Sequence, residues 1–142
     1  MVKKAVLTVY APASSGNLSV GFDALGLALA PVDGSLLGDR VSIMSGQADD
    51  WLLCMDGPFA HALPQDQEQN IVIASCRRFE AAVRARGINI QPLHMTLDKR
   101  LPVGSGLGSS ASSIVATLVA LNQYHNRPLD RPALLRLMAE ME

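Results

Sequence analysis

The sequence predicts a mixed α+β domain, and three observations carry that prediction. Strand-like alternation occurs at Ala5, Leu7 and Val9 against Val6, Thr8 and Tyr10, and again at Leu93, Met95 and Leu97 against His94, Thr96 and Asp98. Val72, Cys76, Phe79 and Val83 recur at the spacing of one helical face. A glycine- and serine-rich stretch then joins the later alternating run directly to another helix-like segment. Strands crowd the first half of the chain and helices the second, as in an α+β domain.

The first alternating run stops at Ala11-Pro12, where proline offers no donor for a ladder, and feeds a long loop through Ala13, Ser14, Ser15, Gly16 and Asn17. A more apolar stretch follows, carrying Asp23 with Gly21 and Gly26. Asp33-Gly34 and Gly38-Asp39 read as turns between short strands, the next two spanning residues 40–44 and 51–55. The polar residues 58–69 read as a surface connection. Asn70 is placed to cap the helix that carries the Val72 stripe, and Gly87 stands where that helix ends. Beyond the glycine-rich loop, Ser109 or Ser110 is expected to cap a second helix running to about His125, with Asp130 and Pro132 opening a third. That third pattern is still running at Glu142, so the chain reads as a piece of something longer. It contains no internal repeat.

A chain of 142 residues can bury most of its apolar surface as one domain without disulfides or a structural metal. Twelve Lys and Arg against 13 Asp and Glu, scattered to a formal charge of -1, leave no electrostatic footprint for nucleic acid or an anionic membrane. Neither is an expected partner. Met1-Val2-Lys3-Lys4 leads into no apolar leader, and no window is apolar enough to span a bilayer, so a cytoplasmic setting is expected. Cys54 and Cys76 lie in apolar surroundings without C-x-x-C spacing and read as buried free thiols. His61, His94 and His125 lack metal-ligand spacing, and Trp51 reads as core.

The chemistry concentrates in Leu101-Pro102-Val103-Gly104-Ser105-Gly106-Leu107-Gly108-Ser109-Ser110-Ala111-Ser112. Between a strand and a helix, its backbone N–H groups can converge on an anion at the helix N-terminus. Glycine allows positive φ and close approach of the backbone, while Ser109 and Ser110 add hydroxyls, one of them a candidate Mg²⁺ ligand. Such a loop elsewhere would be a flexible turn; its position makes it a phosphate cradle. It lacks the lysine of a Walker A loop, and its glycines at 104, 106 and 108 miss the G-x-G-x-x-G spacing.

Pro102 through Ala111 resembles the ATP loop of the GHMP kinases, the group that includes galactokinase, homoserine kinase, mevalonate kinase and phosphomevalonate kinase. Upstream, Tyr10-Ala11-Pro12-Ala13-Ser14-Ser15-Gly16-Asn17-Leu18-Ser19-Val20-Gly21-Phe22-Asp23-Ala24-Leu25-Gly26 resembles the N-terminal motif of the homoserine kinase branch. Galactokinases carry an Asn-Leu-Ile-Gly-Glu-His type of continuation instead. Pro31-Val32-Asp33-Gly34 and Leu37-Gly38-Asp39 extend the likeness over nearly the whole chain.

The resemblance implies a GHMP-kinase N-terminal ATP-binding domain over residues 1–142, of the fold type shared with a small-subunit ribosomal protein and cut at the start of the C-terminal half. It implies ATP-dependent phosphorylation of L-homoserine to O-phospho-L-homoserine in threonine biosynthesis, with ATP, Mg²⁺ and homoserine as ligands and room for a homodimer of the full-length protein. The family's C-terminal glycine-rich motif and substrate-binding arginines are absent, so residues 1–142 alone are expected to be inactive.

Within the resemblance, Pro102, Val103, Gly104, Ser105, Gly106, Leu107, Gly108, Ser109, Ser110, Ala111 and Ser112 bind ATP, and Ser110 with Glu142 serves the metal. Glu140 is the rival for the second role. On a helix whose apolar face is Leu134, Leu135, Leu137, Met138 and Met141, Glu142 lies roughly 70° from the face centre and Glu140 roughly 130°. Asp23, set between Phe22 and Ala24, is costly to bury without a cation or donor, which a substrate ammonium would supply. Asn17 offers a donor and an acceptor for the acceptor hydroxyl. Either could equally be a turn residue bonding its own backbone, and Asp23 stands open between substrate ligand and base. The alternatives to a homoserine kinase are another GHMP kinase of small molecules and a non-catalytic nucleotide- or RNA-binding module of the same fold.

Overall fold

The computed structural model describes residues 3–15 and 27–142. In chain order they form strands β1 (Ala5–Pro12), β2 (Ser14–Ser15), β3 (Leu27–Ala28), β4 (Gly38–Met44), β5 (Leu52–Asp56) and β6 (His94–Asp98). The α-helices are α1 (Ile71–Arg84), α2 (Ser109–Tyr124) and α3 (Arg131–Glu140), and two 3-10 turns, Ala60–Ala62 and Gln67–Gln69, precede α1. The architecture is α+β, as expected: a four-stranded sheet in the order β1-β4-β6-β5, a small β2-β3 ladder, and helices.

The β1-β4 and β4-β6 pairs are antiparallel, and β5-β6 is parallel. A parallel neighbour demands a crossover, and α1 supplies it. Val41 and Ile43 on β4 and Met95 and Leu97 on β6 are fully buried on the face that carries the helices. The alternate positions, Ser42 and Thr96 among them, are only partly covered, and Thr8 Oγ1 meets Ser42 Oγ at 2.8 Å there. The outer edge of β5 is closed by one side chain. Gln67 accepts from Leu53 N at 3.1 Å and donates to Trp51 O at 3.0 Å, which blocks pairing with another strand.

Helix α1 forms for the reasons its sequence gives. Asn70 Oδ1 accepts from Val72 N at 2.9 Å, and the stripe Val72, Cys76, Phe79 and Val83 is fully buried against α2 and the sheet. Gly87, at φ 80°, ends it, with Ile88 N returning to Val83 O at 3.0 Å. Trp51 is core, as expected, and its Nε1 donates to Glu80 Oε2 of α1 at 2.8 Å.

Several expectations need correction. Neither Ser109 nor Ser110 caps α2: the N-cap is Gly108 in the left-handed conformation, φ 68°, without any side-chain cap bond, and both serines sit in the first turn. Ala11 and Pro12 belong to β1, pairing with Asp39 and Gly38, so the loop after β1 starts later than expected. Asp130 does cap α3, accepting from Ala133 N at 2.9 Å, but the helix ends at Glu140 with Met141 as its C-cap. Its buried residues are Ala133 and Leu137, whereas Leu135 is exposed, so the inward face is narrower than the apolar stripe. Cys76 is buried, but Cys54 is exposed. Residues 51–55 are almost uniformly apolar and give no alternation to choose a face; pairing with β6 turns Trp51, Leu53 and Met55 inward and Cys54 outward. No helix among the described residues is long and apolar enough to cross a membrane.

Candidate active site

The loop between β6 and α2 roofs a cleft of about 410 Å³. Val103, Gly104, Ser105, Gly106, Gly108, Ser109, Ser110 and Ala111 line it, and Leu97, Lys99 and Ser113 reach it from β6 and α2. Its far wall is Leu63, Pro64, Gln69, Asn70 and Ile71, from the polar connection and the start of α1. Glu142 also lines it. One end is therefore apolar enough for a flat ring and the other is made of glycine, serine and backbone.

Gly104, Gly106 and Gly108 all have positive φ, at 75°, 78° and 68°. Among the described residues, none of the backbone N–H groups from 103 to 111 finds a protein acceptor. Helix α1 and helix α3 are each capped by a side chain, and α2 alone of the three opens without one. The partial positive charge of its N-terminus is thus left facing the cleft for an anion.

The expected ATP-loop residues do not all stand alike. Pro102 and Leu107 frame the loop without lining the cleft: Pro102 O accepts from Ser105 Oγ at 2.8 Å, and Leu107 O accepts from Ser14 N at 2.9 Å. Ser112 is turned away altogether. Buried on the sheet side of α2, its Oγ accepts from Asp39 N at 3.0 Å and donates to Ala11 O at 2.8 Å. It ties α2 to β1 and β4, and the same helical row carries the buried Ala116 and Ala120.

Ser110 is exposed, its hydroxyl meets no partner among the described residues, and it shares the cleft with Glu142. Glu140 lies elsewhere, paired with Arg78 of α1 on the outer surface. Among the described residues no three His, Cys, Asp or Glu side chains gather as a metal site, so any cation here would need oxygens from a ligand as well. Asn17 and Asp23 lie outside the described residues. The ladder that flanks their segment, β2 with β3, abuts the loop through the Ser14 to Leu107 bond.

Sequence reasoning missed Asp39 and Lys99, which meet beneath the loop at 2.6 Å, nearly or wholly buried. They extend the inward rows of β4 and β6 by one step past the Val41-Leu97 pair. Extending that register is the signal that finds them; read singly, Asp39 is a turn residue and Lys99 a strand end. Asn70, whose sequence signal is that of a helix cap, also stands on the far wall beside Ile71.

Residues 70–142 match the family model described as GHMP kinases N terminal domain. A homoserine kinase from Cytophaga hutchinsonii ATCC 33406 is 34% identical, with a TM-score of 0.79, over 98% of this chain and 41% of its own. A Listeria monocytogenes protein assigned as a homoserine kinase is 28% identical, with a TM-score of 0.68, over 94% of this chain and 42% of its own. Methanococcus jannaschii mevalonate kinase, 16% identical with a TM-score of 0.68 over 96% of this chain and 45% of its own, shares the fold. The chain spans less than half the length of each of these proteins.

Proposed function

Because the chain belongs to the GHMP kinase family, a family of phosphotransferases, we propose that it supplies the ATP-binding part of a homoserine kinase. The reaction is transfer of the terminal phosphoryl group of ATP to the side-chain hydroxyl of L-homoserine, a step in threonine biosynthesis. The observation that carries this reading is the uncapped N-terminus of α2 beneath a loop whose N–H groups from 103 to 111 have no protein acceptor among the described residues. Identity of 34% to a homoserine kinase, over nearly the whole chain, favours homoserine over the other acceptors of the family.

The residues present fit a nucleotide. An added Cβ at Gly104 or Gly106 would meet nothing within 4 Å among the described residues, so bare backbone faces the cleft there. The triphosphate lies along the loop, where N–H groups and the α2 N-terminus stabilise charge that spreads over the phosphoryl oxygens during transfer. The base takes the apolar end, between Leu63, Pro64, Ile71 and Val103. Ser110 and Glu142 would hold Mg²⁺, which would supply charge neutralisation for the phosphates.

Asp23 holds the homoserine ammonium and Asn17 orients its hydroxyl, in a reading that rests on the family resemblance of their motif. Positioning does most of the work in such a reaction, and effective molarities of well-oriented groups correspond to about 7–11 kcal/mol of barrier. The test is ADP release by the full-length protein with L-homoserine, with O-phosphohomoserine identified by phosphorus NMR. Asp23→Asn should raise KM for homoserine and leave KM for ATP nearly unchanged. Absence of a phosphorylated homoserine product rejects the proposal.

A further inference from the structure

Beneath the loop, Asp39 and Lys99 form a closed network. A carboxylate has four acceptor sites, and those of Asp39 are taken by Arg100 N at 2.8 Å, Leu101 N at 3.0 Å, Lys99 Nζ at 2.6 Å and Ser113 Oγ at 2.8 Å. An ammonium has three protons, and those of Lys99 go to Asp39 Oδ2, to Ser109 O at 2.9 Å and to Ser113 Oγ at 3.0 Å. Lys99 lines the floor of the cleft but has no proton left for a phosphate.

The partners lie on both sides of the glycines. Arg100 and Leu101 enter the loop, while Ser109 and Ser113 belong to the helix that leaves it. Asp39 is fixed to the sheet through its place on β4, opposite Ala11 of β1, and Asp39 N donates to Ser112 Oγ of α2. We infer that the Asp39–Lys99 pair is a latch that holds the two ends of the glycine loop at the separation at which its N–H groups converge on phosphates. Both are positioning residues: Asp39 does not line the cleft, Lys99 reaches its floor with all three ammonium protons given to protein acceptors, and both act through the loop. The inference deepens the ATP reading and rests on it.

A buried pair with one member neutralised is costlier than a pair with both neutralised, because an unpaired buried charge remains. In Asp39→Asn the single amide oxygen is contested by the Lys99 ammonium and by the N–H groups of Arg100 and Leu101. In Asp39→Asn/Lys99→Met the contest is removed and the amide oxygen can return to the loop. Calorimetric affinities for MgATP and for adenosine, and amide hydrogen exchange at Arg100 and Leu101 in the ligand-free protein, read the two consequences separately.

Each single variant, Asp39→Asn or Lys99→Met, should weaken MgATP by about tenfold or more, the size of a lost charge-assisted contact, and adenosine by less than about twofold. Arg100 and Leu101 should exchange about tenfold faster in Asp39→Asn while α1 amides do not change, and the double variant should recover both properties in part. Equal losses for ATP and adenosine, unchanged exchange at Arg100 and Leu101, or a double variant worse than either single one overturns the latch. If the parent protein binds ATP no more tightly than adenosine, the nucleotide reading itself fails. That outcome is seen in the parent and is distinct from a failure of the variants.

Discussion

Gly108 and Ser14 are pressed together: a Cβ on Gly108 would lie 2.2 Å from the Ser14 hydroxyl oxygen, and Ser14 N donates to the neighbouring Leu107 O at 2.9 Å. Gly106, two residues away at φ 78°, has nothing within 4 Å of the same position among the described residues. Two glycines of one loop therefore serve different ends. Gly108 lets the start of α2 seat against β2, and Gly106 leaves bare backbone on the open side.

Gly106→Val should accordingly fold, with a cost of about 1–2 kcal/mol for the left-handed backbone, and should lose ATP affinity because its side chain occupies the cradle. Gly108→Val should be the more destabilised of the two, since it adds a backbone and side-chain collision to the same strain. Thermal unfolding with calorimetric ATP titration separates these effects. Equal destabilisation with equal ATP affinity would contradict the division.

Ser110→Ala and Glu142→Gln should each raise the Mg²⁺ concentration needed for nucleotide-dependent turnover, by about tenfold, because each removes a hard oxygen ligand or its charge. Glu140→Gln should leave the Mg²⁺ dependence alone and cost no more than about 1 kcal/mol, since its pair with Arg78 is at the surface. Mg²⁺ titrations of the three variants decide between the two glutamates.

Acid should weaken the fold through His125. Burial lowers its pKa from 6.5, its ring lies 6.1 Å from that of Phe79, and among the described residues its buried Nε2 has no partner. The unfolded chain takes up the proton first as pH falls. The contribution of the neutral imidazole is thus complete above 6.5 and is lost as pH drops from there toward the folded-state value. His94 shifts the same way, through burial and then Lys3. Unfolding free energies for the parent and His125→Phe, compared from about pH 8 down to about pH 5, should show a smaller acid loss in the variant.

Thiol reactivity should split cleanly. Cys54 is exposed, whereas burial pushes the Cys76 thiol far above its ordinary value. A disulfide reagent should modify Cys54 alone in the native protein, with Cys54→Ser removing the native reaction and Cys76 reacting only after unfolding. Native labelling of Cys76 would contradict the packing of α1.

What the sequence made legible was local. Asn70 and the Val72 stripe identify α1 because cap and periodicity act within one element, and Gly104 to Ser110 mark the loop that roofs the cleft because strand, glycines and helix are contiguous. What escaped was decided at long range. Asp39 and Lys99 are 60 residues apart and meet only through strand register. The outward turn of Cys54 depends on which strand β5 joins, and the capping of α2 on Ser14 standing against Gly108. Ser112 was within reach, since it continues the buried row of Ala116, but its place in the serine-rich motif concealed its packing.

The most direct measurement is kcat/KM of the full-length protein for L-homoserine, mevalonate and galactose at saturating MgATP, followed by ADP release. A site that pairs a substrate ammonium should discriminate strongly against acceptors without one, and homoserine is predicted to exceed both others by at least about a hundredfold. Turnover of mevalonate or galactose equal to that of homoserine, or no homoserine-dependent ADP release, would contradict the account.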